Sequence, residues 1–107
     1  MTAAQTETRR RSTLRFEFLN LFVDFGITAA QLTPSAVAVW LVMFRHATPD
    51  GYTEVSINAV SESSGICRRT VMRALAELRS RAMLKTVKKG GINRGSSRYI
   101  LFPKPQA

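Results

Sequence analysis

The sequence predicts a mainly α-helical domain that closes with a small β-hairpin, all within 107 residues. Three observations carry that expectation. Apolar residues recur at helical spacing through residues 13–44 and again through 71–78. Strong turn chemistry interrupts them at Thr48–Gly51 ("TPDG") and at Gly65. Two short runs rich in β-branched and aromatic residues then flank "GGINRGSS", a stretch with loop composition.

Residues 1–12 show no apolar period and end in Arg9, Arg10 and Arg11. They read as a flexible basic arm, either a solvated leader or an arm that lies along a DNA groove. Residues 13–30 carry two patterns. Leu14, Phe16 and Phe18 alternate as in a strand, whereas Leu14, Phe18, Leu21, Phe22 and Phe25 recur as on one helix face. Length favours the helix, because strands of that length are uncommon. Gly26 is expected to end or bend it.

The second helix opens at Thr33, a cap for orphan amides, with Pro34 at the first helical position. Val37, Trp40, Leu41 and Phe44 form one face, yet Val39, Val42 and Met43 lie off it and are also apolar. A helix apolar on nearly every side must be covered on nearly every side. In so small a protein that calls for the first helix and either the rest of the domain or a second chain. A homodimer through these two helices is the expected consequence.

Tyr52–Val55 can form a short strand, and Ser56 can cap a short third helix over residues 57–63. Gly65 suits a left-handed turn. A fourth helix spans residues 67–81. The hairpin follows over residues 83–102, and Pro103 and Pro105 end regular structure in a tail of residues 103–107. The domain proper is therefore expected over residues 13–102.

Charge narrows the function. Sixteen Lys and Arg against seven Asp and Glu give a net charge of +9, with an isoelectric point near 11.1. So basic a compact domain is expected to seek polyanions, nucleic acid ahead of an anionic membrane surface. One cysteine, Cys67, and one histidine, His46, supply neither a disulfide nor a zinc cluster. No paired carboxylates, phosphate loop or cofactor motif stands out, so an enzyme is not expected and no cofactor is implied. His46 reads as a surface cation near a helix C-terminus, and Trp40 as core. No apolar run reaches membrane-spanning length and no secretory leader is visible, which points to a cytoplasmic, nucleoid-associated protein.

On a helical wheel of about 100° per residue, the fourth helix sorts cleanly. Val71, Ala74, Leu75 and Leu78 face one way, while Arg69 and Arg73 fall almost opposite. Ala76 and Ser80 extend the outward stripe with small side chains. Arg68 and Met72 flank it on one side and Thr70 on the other. Small residues let a helix axis approach a surface, and arginine can fork onto guanine O6 and N7 or onto a phosphate. The hairpin adds Lys85, Lys88, Lys89, Arg94 and Arg98, with Asn93 and Arg94 near its tip, placed for a minor groove or its flanking phosphates.

The order of elements is that of a winged helix-turn-helix domain preceded by one additional helix. Residues 32–102, in particular "VSINAVSESSGICRRTVMRALAELRSRAMLKTVKKGG" and "SRYIL", resemble the winged helix-turn-helix domains of bacterial, phage and plasmid DNA-binding proteins of the replication-protein and transcription-regulator type. That resemblance implies that Arg68, Arg69, Thr70 and Arg73 face DNA and that the hairpin lysines Lys85, Lys88 and Lys89 with Arg94 form the wing; Asn93 and Arg98, on or beside the hairpin loop, are expected to contact DNA as well. The implied function is a double-stranded DNA-binding protein, a sequence-specific transcriptional regulator. The alternatives are a plasmid or phage replication protein and a winged-helix interaction module that reads no DNA. Three positions depart from the family pattern. Cys67 stands where Ser or Thr caps the recognition helix, Ser64 replaces an apolar residue, and Ala82 replaces the glycine that turns the chain into the wing.

Overall fold

The computed structural model describes residues 2–88 and 96–106, and at residues 7, 8 and 10–12 the backbone only. Helix α1 (Ala3–Leu21) passes into a π-helical segment (Phe22–Gly26) and then into α2 (Ile27–Ala30). The remaining elements are α3 (Pro34–Arg45), β1 (Tyr52–Ser56), α4 (Ile57–Ser64), α5 (Arg68–Ser80), β2 (Leu84–Lys88) and β3 (Ser96–Leu101). The mainly helical class with a small C-terminal sheet is as expected.

The start of the chain is not an irregular arm. Thr2 and Gln5 form a reciprocal capping box, Thr2 accepting from the Gln5 amide at 3.3 Å and Gln5 accepting from the Thr2 amide at 3.0 Å. Two orphan donors are thereby satisfied, and helix α1 begins at Ala3 instead of near residue 13.

Gly26 neither ends nor breaks the rod. The residues that face the interior are Phe18, Phe22, Gly26 and Ala30, each four positions after the last. An α-helix would rotate such a row steadily off the core. The π-segment, with the Ile27 amide bonded to the Phe22 carbonyl, widens the ladder and returns the row inward. The same shift leaves Leu21 (37% exposed) and Phe25 (57%) at the surface, where the α-helical pattern had them facing the core. Gly26 is needed because the tail crosses it. A Cβ there would collide with the carbonyl of Pro103.

Packing centres on Trp40 in α3, which is fully buried. Its ring stacks on Phe22 at 3.7 Å between centroids and 2° between planes, and lies 5.1 Å from Phe44 and 6.0 Å from Phe18. The indole N–H donates to the Phe102 carbonyl at 3.2 Å. Arg15 of α1 donates to the Phe44 and Ala47 carbonyls at 3.0 and 2.6 Å and lies 4.6 Å over the Phe44 ring, capping the C-terminal end of α3. His46 is the C-cap residue at that end and is exposed. Cover of α3 is less complete than its composition suggested. Ala36, Val39, Trp40, Met43 and Phe44 are buried, but Leu41 is exposed.

The sheet has three antiparallel strands in the order β1-β3-β2, so the predicted hairpin gains the Tyr52 strand as a second partner. Thr53, Val55, Tyr99, Leu101 and Leu84 turn inward, and Tyr52, Glu54 and Arg98 outward.

Replacing Trp40 by Ala is expected to destabilise the domain by about 3–5 kcal/mol, through lost ring packing and an unpaired Phe102 carbonyl. Urea denaturation followed by circular dichroism measures it, and a loss below about 1 kcal/mol would deny the stack its central place.

Candidate nucleic-acid interface

Helix α4, the turn at Gly65–Cys67 and helix α5 make the helix-turn-helix. Ser56 caps α4 by accepting from the Ala59 amide at 3.0 Å. Gly65 ends it in a left-handed conformation (φ 73°) with open space around it, so backbone conformation alone calls for glycine here. Ser64, the polar departure, closes the turn: its hydroxyl accepts from the Ile66 amide at 3.2 Å, while Ser61 donates to the Ile66 carbonyl at 2.6 Å. An apolar side chain could not make that bond.

Cys67 is the N-cap residue of α5 and makes no capping hydrogen bond. Its sulfur instead meets the Thr70 hydroxyl at 3.2 Å. The Thr70 hydroxyl beside it, then the Thr70 backbone, hold this exposed thiol below its usual range against desolvation, and the Arg69 backbone and charge act in the same direction.

Val71, Ala74, Leu75 and Leu78 of α5 are buried, and Arg68, Arg69 and Arg73 are exposed on the other side. The wheel reading of the two faces is therefore correct. Arg68, Arg69 and Arg73 line one shallow surface recess together with Met72 and Ala76. Thr70 is half-buried, its hydroxyl turned to Cys67. Among the described residues no carboxylate lies within ion-pair distance of these three guanidiniums.

A clamp that the periodicity did not reveal holds α5 in place. Glu77 accepts from the backbone amide and the hydroxyl of Thr33, both at 2.8 Å, so a carboxylate on α5 sits at the N-terminus of α3. Helix dipole and hydrogen bonding favour the same placement. At its C-terminal end α5 turns through Ala82, which is left-handed (φ 57°) despite its Cβ. The Met83 amide bonds to the Leu78 carbonyl and the Ala82 amide to that of Arg79, the Schellman pattern. The chain therefore makes the turn that glycine usually makes, at a cost of about 1 kcal/mol.

On the sheet, Lys88 lies across from Arg98, beside an irregularity in the β2–β3 register, and both are exposed. Arg98 is also paired with Glu54 of β1 at 3.5 Å, both side chains more than half exposed. Lys89, Asn93 and Arg94 lie outside the described residues. Arg79 donates to Thr86 at 3.4 Å, a long bond from α5 to β2. Among the described residues no group of His, Cys, Asp and Glu could hold a metal ion, and no helix is long and apolar enough to cross a membrane.

A family model described as a helix-turn-helix domain matches residues 30–82, the span from the end of α2 to the Ala82 turn. Among curated proteins no sequence matches the chain. Among solved structures, the chain is similar to a possible transcriptional regulator from Methanosarcina mazei Go1, with a TM-score of 0.53 and 18% identity, over 71% of this chain and 61% of that one. It thus spans less than two thirds of that protein's length. It is also similar to the YusO protein from Bacillus subtilis, with a TM-score of 0.52 and 13% identity, over 94% of this chain and 68% of that one. At these identities the likeness is one of fold, and the fold is that of a winged helix.

Replacing Cys67 by Ser supplies the missing cap acceptor and is expected to raise the thermal midpoint by a few degrees. Differential scanning calorimetry measures this. An unchanged or lower midpoint would mean that the thiol contact to Thr70 already does the work of a cap.

Proposed function

We propose that this protein binds double-stranded DNA and regulates transcription in the cytoplasm by recognising specific sequences, with α5 in the major groove. One observation carries the reading: Arg69 and Arg73 project from α5 directly opposite its buried face, with no carboxylate among the described residues to neutralise them. A major groove about 12 Å wide admits such a helix, and Ala76 and Ser80 keep its outward side slim. The helix-turn-helix match over residues 30–82 supports the reading. Arg68 and Thr70 flank the reading face. Lys88 and Arg98, with Lys89, Asn93 and Arg94, are assigned to backbone or minor-groove contacts of the wing.

The protein acts as a homodimer in this reading. Leu14, Phe16, Val23 and Phe25 are 42–68% exposed along the N-terminal rod, and Leu41 of α3 is 41% exposed. These exposed apolar side chains on two helices offer surface that a second copy of the chain could cover. Light scattering is expected to give twice the chain mass at micromolar concentration. Joint replacement of Phe16 and Phe25 by Glu should return it to the single-chain mass. A wild-type monomer, unchanged by added duplex, would remove the dimer.

The DNA reading is tested by selecting bound duplexes from a random pool and measuring affinity across salt concentrations. Binding should fall steeply with salt, through counterion release. Joint replacement of Arg69 and Arg73 by Ala should weaken the selected sequence by at least about tenfold, as expected for one lost bidentate base contact at about 1–3 kcal/mol, and random DNA by less. Equal loss on both duplexes assigns these arginines to phosphates. No loss on either removes α5 as the reader.

A further inference from the structure

Met72 is the unusual member of the α5 recess. It is 53% exposed on the flank of the helix, whereas Val71, Ala74, Leu75 and Leu78 are buried. It is also absent from the apolar residues that pack against the core. With Ala76, one turn on, it supplies the apolar part of a shallow recess also lined by Arg68, Arg69 and Arg73. Covering three cations beside an exposed thioether with an apolar protein surface would cost their desolvation, whereas a polyanion pairs with them. The occupant must therefore be anionic at large and apolar at one point.

We infer that Met72 and Ala76 form a receptor for the C5 methyl group of a pyrimidine in the major groove, so that α5 discriminates by an apolar contact as well as through its arginines. The inference rests on the proposed DNA reading. Of the groups that base pairs present in the major groove, hydrogen-bond donors and acceptors match arginine, and the methyl of thymine is the apolar one. Cytosine carries the same group when methylated at C5. A methionine side chain suits the role because it is unbranched, polarisable and able to settle against a small convex group. Ala76 keeps the helix close enough for the contact, and the arginines at positions 69 and 73 place guanine or phosphate contacts on neighbouring positions of the same site.

The test uses the full chain and the duplex recovered by selection. Each thymine is replaced in turn by deoxyuridine, which removes the methyl and leaves base pairing intact. Each cytosine is separately replaced by 5-methylcytosine. At one or two thymines per half-site the loss should be about three- to fivefold, the worth of one buried methyl group. Met72→Ala should abolish that sensitivity, and Met72→Leu should keep it. A gain of similar size on methylating one cytosine, lost in Met72→Ala, supports the same receptor with methylcytosine as its source. Normal duplex affinity with no response to either replacement overturns the inference, as does an equal response in Met72→Ala. Failure to recover any duplex would instead remove the DNA reading beneath it. The two failures are distinguishable, because the first leaves salt-sensitive binding in place.

Discussion

Four rings meeting at Trp40 set the geometry on which the rest of the protein depends. Phe18 and Phe22 come from the N-terminal rod and Phe44 from the same helix as Trp40, while the indole N–H reaches the last residue before the tail. One side chain thus touches the first helix and the exit of the last strand and sits in the helix that backs the helix-turn-helix. Stacking geometry matters beyond apolar area, since paired rings add roughly 0.5–1.5 kcal/mol. It also anchors α3 against the rod, and the N-terminus of α3 lies at Thr33. That N-terminus is where Glu77 docks. The basic face of α5 is turned outward by the burial of Val71, Ala74, Leu75 and Leu78 in this core, and the Glu77–Thr33 bonds add a polar tie to the start of α3.

The helix-turn-helix shows how a chain can depart from a pattern and keep its shape. Ser64 converts an apolar position into a hydrogen bond that closes the turn. Cys67 gives up a cap and finds a contact with Thr70. Ala82 accepts the left-handed conformation, held by the hydrogen bonds of the Ala82 and Met83 amides to Arg79 and Leu78 and by the Gln106 amide, which donates to the Ala82 carbonyl at 3.1 Å. Each solution is local and none disturbs the outward side of α5.

Which features could be read from the residues follows from how far their causes reach along the chain. The two faces of α5, the Thr33–Pro34 start of α3 and the Gly65 turn are products of short-range periodicity and turn chemistry, and they were legible. The Thr2–Gln5 box has a local signal, a hydroxyl followed three residues later by glutamine, but the polar residues after it hid the helix, and residues 1–12 read as an arm. Arg15 and Glu77 act on partners 29 to 44 residues away. No spacing rule reveals such pairs, because they exist only once the helices have packed. The same is true of the join between β1 and β3. Leu21 and Phe25 misled for a different reason: their helical phase was counted on a ladder that does not remain α-helical.

That change of ladder has its own meaning. A π-segment is what one supernumerary residue leaves in a helix whose two ends are both anchored. Here the capping box and Arg15 hold the upstream half, and the Gly26 crossing with the left-handed Gln31 holds the downstream half. The extra residue cannot be expelled as a loop without unseating one anchor, so it is absorbed as a dislocation in an otherwise regular lattice of amides. The rod is thus two crystalline halves out of step by one unit. The fault line between them is what allows Phe18 above it, Phe22 within it and Ala30 below it to share a single interior.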